Sequence, residues 1–153
     1  MPANPLKNYK PKGTLVTTLY EHKNPVNTIT VCDDQSHFLT GSRNDQTVHI
    51  WRTDEIEREV KARSADSISV PGSVNKIDML LNSNSLAVGS SGGLHVYDLN
   101  RLKSEGRKIS SEEEVTQVSN FMLPISNQHV IAYITHNGGF HLHDVRSRAN
   151  ILD

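Results

Sequence analysis

Short apolar runs of five or six residues recur along the chain between polar stretches, and they recur in a fixed order. Thr47-Val48-His49-Ile50-Trp51, Gly93-Leu94-His95-Val96-Tyr97 and Gly139-Phe140-His141-Leu142-His143 align, ending at residues 51, 97 and 143, an even spacing of 46. Before each stands a second apolar run, 38–42, 86–90 and 130–135, with a tight turn between the two. The turns are Arg43-Asn44-Asp45-Gln46, Ser91-Gly92 leading into Gly93, and His136-Asn137-Gly138 leading into Gly139. A strand, a turn rich in Gly or Asn/Asp and a second strand predict a β-hairpin. A third strand is predicted before each hairpin, over 26–31, 74–79 and 115–121. Period-two alternation is clean in the hairpin strands and imperfect in 26–31. Helical periodicity is weak throughout. The best candidate, 53–62, is polar nearly all round, and 99–114 carries Arg101, Lys103, Arg107 and Lys108 before Glu112-Glu113-Glu114. Both are expected as solvated loops around a short outer strand, since opposite charges close in sequence need no partner.

Three short strands and a variable fourth, repeated with an ending like Trp-Asp, are the sequence signature of WD repeats. The prediction is an all-β fold: a partial WD-repeat β-propeller of about three four-stranded antiparallel blades, not closed. Residues 1–13 are expected as an N-terminal extension and 14–20 as an outer strand of a preceding blade. Blade one is expected over 22–68, blade two over 69–112 and blade three over 113–153, with 148–153 beginning its outer strand. Propellers close with typically four to eight blades, and repeat arrays need capped ends. The chain is therefore expected to be a piece of a longer protein with two open blade faces.

The first blade carries the fullest set of polar partners. In WD repeats a Trp on the third strand, a Ser/Thr on the second, an Asp in the turn between them and a His before the first strand form a hydrogen-bonded chain. His22, Thr40 or Ser42, Asp45 and Trp51 stand in those places. Buried indole and imidazole N–H groups each need an acceptor, and an Asp at the end fixes the imidazole tautomer. The repeat-equivalent positions elsewhere are Tyr97 and His143 for Trp51, followed by Asp98 and Asp144 where blade one has Arg52. Blade two has Ser73 for the His and Gly92 near the Asp position, and blade three has no Asp in its turn. Those blades are expected to rely on apolar packing, with Gly92-Gly93 and Gly138-Gly139 supplying positive φ in the turns.

The bulk numbers remove several alternatives. A formal net charge of −1 over 153 residues provides no basic field for nucleic acid or anionic lipid. One cysteine, Cys32, excludes an intrachain disulfide or a thiolate metal cluster. No window approaches a membrane span of roughly 18 apolar residues, and Met1 to Lys7 lacks a signal-peptide core. Among eight histidines, His141 and His143 share one face of a strand near His129 and His136. Because His49 and His95 repeat the position of His141, they mark a blade position and no metal is expected. Gly89 to Gly93 lies between strands and opens no helix, so it lacks phosphate-loop geometry. No Gly-x-Ser-x-Gly elbow is present, and no catalytic residue or cofactor is expected.

Pro11-Lys12-Gly13-Thr14-Leu15-Val16, Glu21-His22 and Val26-Asn27-x-Ile29-x-Val31 suggest a more specific kinship. Together with Gly138-Gly139-Phe140-His141-Leu142-His143-Asp144-Val145-Arg146-Ser147, they resemble the C-terminal WD domain of the regulatory subunit of class III phosphatidylinositol 3-kinase. The likeness runs from about Asn8 to Ser147. It implies a non-catalytic protein-interaction scaffold whose partners are the lipid-kinase catalytic subunit and accessory coiled-coil subunits. It implies no nucleic acid, contact with membrane only indirectly, and a cytoplasmic address at endosomal or autophagic membranes. The family's kinase-like domain and helical repeats find no counterpart here: there is no Gly-rich loop, His-Arg-Asp or Asp-Phe-Gly. Residue 2 is Pro2, so the lipidation pattern is missing too. The alternative readings are an unrelated WD adaptor in ubiquitin ligation or RNA processing, and an enzymatic or ligand-binding propeller whose site lies in other blades.

Overall fold

Twelve strands and one short helix build the chain in a computed structural model that describes residues 12–59, 61–109, 113–146 and the backbone of 150–152. Each blade is an antiparallel meander. Blade one pairs β1 (Val26–Val31), β2 (His37–Ser42), β3 (Thr47–Arg52) and β4 (Asp66–Ser69) in that order. Blade two is β5 (Val74–Met79), β6 (Ser85–Ser90), β7 (Gly93–Asp98) and β8 (Arg107–Lys108). Blade three is β9 (Val115–Leu123), β10 (Gln128–Thr135), β11 (Phe140–Asp144) and β12 (Asn150–Leu152). These three four-stranded sheets are an unclosed propeller segment, and their β1–β3-type strands lie where the apolar runs place them.

Some expectations are corrected. Residues 14–20 form no strand; an outer strand needs a middle strand to receive it, and the three described sheets are each complete with four. Part of 53–62 is helical, as α1 (Thr53–Arg58), with Asp54 and Glu55 in its first turn and Arg52 paired to Asp54 at 3.0 Å. Ser69, placed at the head of blade two, closes β4 instead. The N-terminal extension through Pro11, and Ser147, Arg148 and Asp153, lie outside the described residues.

The turns show where left-handed backbone is needed. Gly93 and Gly138 have φ of 105° and 85°, while their neighbours Gly92 and Gly139 do not take positive φ. Blade one puts Gln46 at the place of Gly138, with φ of 54°, a conformation that costs a side-chain-bearing residue more than glycine.

The core lies between blades, as alternating faces require. Leu39, Val48, Ile50, Val74, Ile77, Met79, Leu86 and Val88 fill the joint of blades one and two. Leu80, Ala87, Leu94, Val115, Val118, Ile131 and Tyr133 fill the joint of blades two and three. At about 25 cal/mol per Å² of apolar surface, such layers dominate the stability of a repeat array.

Each inner strand opens with a bulge. The ladder skips Asn27, Asn75 and Thr116, and a bulge re-aims the skipped side chain. Asn27 Nδ2 donates to the Val74 and Asn75 carbonyls at 3.1 and 3.0 Å. Asn75 Nδ2 repeats this one blade on, donating to the Val115 carbonyl at 3.0 Å and Glu114 Oε1 at 2.8 Å. Next to the bulge sits a glycine of the middle strand, Gly41 or Gly89. A Cβ there would meet Thr28 and Val74 at 2.7 and 2.9 Å, or Val118 and Val115 at 2.7 and 2.8 Å. The space a side chain would need is already filled, at Gly41 by Thr28 of its own blade and Val74 of the next, and at Gly89 by Val118 and Val115 of the next. Blade three has Ile134 in that place, 40% exposed.

Candidate functional site

Blade one holds the polar chain expected from its sequence positions. Thr40 lies on β2 directly across from His49, two residues from Trp51 on β3, while Asp45 sits in the turn and His22 on the approach to β1. Trp51 Nε1 donates to Thr40 Oγ1 at 2.8 Å. Thr40 Oγ1 meets His22 Nε2 at 2.8 Å, and His22 Nδ1 meets Asp45 Oδ2 at 3.1 Å. The three contacts fit a hydroxyl that accepts from the indole and donates to Nε2, with Nδ1–H donating to the carboxylate. The side chains of His22 and Asp45 are only 6% and 7% exposed.

Asp45 anchors more than the histidine. It also accepts from Lys23 N–H at 2.9 Å and Asn24 Nδ2 at 2.5 Å. Burial pushes its carboxyl pKa upward, but the hydrogen bonds from Asn24, His22 and Lys23 outweigh it and hold the pKa at about 2. Ser42, the alternative to Thr40, is fully buried one step along and takes no part; its hydroxyl meets no partner among the described residues.

The sequence pattern missed an annex to this chain. His49 Nδ1 lies 3.0 Å from Ser64 Oγ and 3.5 Å from Glu21 Oε2, and Ser64 donates to Glu21. The His49 ring stands edge-on to His22, centroids 4.4 Å apart. Burial, then the neighbouring His22, lower the pKa of His49. The adjacency of Glu21 to His22 is the one sequence signal for it; Ser64 lies in a segment without repeat character.

The equivalent positions form no such chain. Val88 and Tyr133 occupy the place of Thr40. Tyr97 is buried, which raises its hydroxyl pKa, and its ring fills the space that a Cβ on Gly106 would need. Asp98 is exposed and accepts from Asn100 N–H at 2.9 Å. His143 is 1% exposed, and Asp144 accepts from Arg146 N–H at 2.8 Å. Tyr133 stacks on His141 at 4.8 Å.

A second polar cluster, also unforeseen, ties blades two and three. Asn120 Nδ2 donates to Asp78 Oδ2 at 2.6 Å and to the Met79 carbonyl at 2.7 Å. Its Oδ1 receives Leu81 N–H at 2.9 Å and lies 2.7 Å from His129 Nε2. Burial raises the Asp78 pKa, with the Asn120 hydrogen bonds opposing it.

Chemically, these groups are committed to one another. His22 and Asp45 have the spacing of an acid–base dyad, but the hydroxyl they reach is buried and holds the indole of the same blade. Among the described residues no three His, Cys, Asp or Glu side chains are grouped as metal ligands. No helix of the described residues is long and apolar enough to cross a membrane.

Known proteins show the same architecture. Residues 13–52 match the family described as WD domain, G-beta repeat. The chain is 30% identical, over 94% of its own length, to serine/threonine-protein kinase VPS15 of Arabidopsis thaliana. It is also 30% identical, over 97% of its length, to the probable serine/threonine-protein kinase vps15 of Dictyostelium discoideum. It covers only 11% and 8% of those two proteins, about a tenth of their length. In fold it is similar to the crystal structure of the computationally designed Ika4 protein, with a TM-score of 0.66 and 13% identity, covering 93% of this chain and 79% of that one.

Proposed function

We propose, from the premise that this chain is a WD-repeat β-propeller segment of the VPS15 type, that it is a non-catalytic interaction scaffold within a class III lipid-kinase complex. The observation that carries the reading is likeness to two VPS15 proteins along nearly the whole chain. The polar groups of blade one add support, because they are spent on an internal network and leave blade edges and loops as the available surface. In this reading the partners are the lipid-kinase catalytic subunit and its coiled-coil accessory subunits. They bring the chain to endosomal or autophagic membranes, and it binds neither nucleic acid nor lipid itself.

Co-purification tests this. The chain, tagged and expressed in cells, is expected to retain the lipid-kinase catalytic subunit through stringent washing. Recovery of ubiquitin-ligase or RNA-processing subunits in its place would sink the reading in favour of an unrelated adaptor.

A further inference from the structure

A cleft of about 650 Å³ opens between blades one and two on the side of their first hairpin turns. Its floor is apolar: Cys32, Ile50 and Met79 are buried, and Leu99 and Leu102 are half-buried against them. Its mouth is acidic. Asp33, Asp34 and Asp66 line it, all exposed, and no Lys or Arg is among the lining residues. The volume lies within the usual range for pockets that bury a ligand of several heavy groups.

The carboxylates are held in position by the turns that carry them. Asp33 Oδ2 accepts from Asn82 N–H at 3.0 Å, bridging the two blades. Asp34 Oδ1 accepts from Ser36 N–H and Oγ at 2.9 and 2.7 Å, and Asp66 Oδ1 from Ser67 N–H at 2.8 Å. A carboxylate has about four lone-pair sites, so each keeps acceptor capacity toward solvent. Their field reaches the floor: the Cys32 thiol pKa is raised by burial first, and then by Asp34 and Asp33.

We infer that this cleft docks a short segment of a partner protein, which inserts one aliphatic side chain between the blades and sets Lys or Arg against Asp33, Asp34 and Asp66. Charge selects the occupant. Three carboxylates repel phosphates and acidic peptides and attract a cationic one, while the apolar floor rewards an aliphatic anchor that a purely polar cation lacks. The inference rests on the scaffold reading and deepens it, naming the chemistry of one partner segment.

The test uses the whole chain and a fluorescein-labelled peptide, Lys-Arg-Leu-Lys-Arg, followed by fluorescence anisotropy. Two control peptides replace the Leu by Ser, or the four basic residues by Glu. The Leu-containing basic peptide is expected to bind at least about tenfold tighter than either control, and to weaken as salt rises from about 0.05 to about 0.5 M. Asp33→Asn combined with Asp66→Asn is expected to lose about tenfold in affinity. Ala65→Arg, at an exposed position on the rim, is expected to abolish binding with an unchanged unfolding midpoint. Equal binding of the Ser peptide, or undiminished binding by Ala65→Arg, would show a diffuse charge effect and overturn the cleft. Co-purification of the lipid kinase that survives such a result leaves the scaffold reading intact, so the two failures are distinguishable.

Discussion

Blade one and blade three solve the same packing problem with opposite chemistry. Blade one buries four polar side chains and satisfies them in a single file from Trp51 to Asp45. Blade three puts Tyr133 where the hydroxyl would be, stacks it on His141, and presents Ile134 where the first two blades have glycine. A buried polar network is worth having only when every member is satisfied. Losing Thr40 from the pattern therefore goes with losing Trp51 and Asp45 as well. Partial networks are the unstable intermediate, and blades two and three fill the Thr40 place with Val88 and Tyr133 instead.

The contrast is broken most severely by Trp51→Ala, which removes a 2%-exposed indole. The expected loss is about 3–5 kcal/mol in urea unfolding of the chain; a loss under about 1 kcal/mol would mean the indole is not part of the packed blade. Gly89→Ala comes next. Its Cβ would lie 2.7 and 2.8 Å from the methyls of Val118 and Val115, so a loss of about 1–3 kcal/mol is expected by the same assay. Ile134→Gly, at the equivalent but exposed position, is expected to cost less than that.

Thr40→Val makes blade one resemble blade two without the rest of its substitutions. It orphans the Trp51 N–H and the His22 Nε2 contact, for an expected loss of about 1–3 kcal/mol. The reciprocal Val88→Thr is expected to destabilise as well, since Val88 is fully buried and the new hydroxyl would arrive there without the His, Asp and Trp that complete the file in blade one.

Acid titration separates the two aspartates by sign. Asp45 is folded with a pKa of about 2 against an ordinary 3.8, so the stability it lends is present above the ordinary value and disappears as pH falls from about 4 toward 2. Asp78 has a raised pKa, so its contribution is greatest below the ordinary carboxylate range and is lost as pH rises through the folded value. Asp45→Asn is expected to lower the melting temperature at pH 7 and flatten its acid slope, whereas Asp78→Asn is expected to leave it equal or higher. The reverse ranking would contradict both environments. The smallest effect is expected at Gln46→Gly, a gain of under about 1 kcal/mol from relieving the left-handed backbone that Gly138 already occupies at no cost.

How much of this was legible depended on whether a feature repeats. The strands of the three hairpins follow apolar runs spaced 46 apart, and His22, Thr40, Asp45 and Trp51 stand where the WD pattern puts them. The short α1 was hidden because Ile56 is the one apolar residue in it, which leaves no apolar stripe to signal a helix. Choosing Thr40 over Ser42 needed the pleat: the two are two residues apart on one strand, and only the register with Trp51 decides. Asn120 and Ser64 were invisible for the same reason. Their partners, Asp78 and Glu21, lie about forty residues away, and among the described residues neither pairing recurs in the other blades.

The side-chain links along the inner strands have a further consequence, for colloidal behaviour. Thr28 and Thr30 hydroxyls accept the Ile77 and Met79 N–H groups at 3.2 Å, and Asp78 accepts that of Asn120 at 3.1 Å. An edge strand with open N–H groups is a template for foreign strands and the starting point of fibrils. With Ile77, Met79 and Asn120 N–H held by a neighbour's side chain, β5 and β9 offer three fewer pairing sites while remaining edge strands of their own sheets. β1 has Val26, Ile29 and Val31 about half exposed, and it is there that this chain, handled alone at high concentration, would seed aggregation.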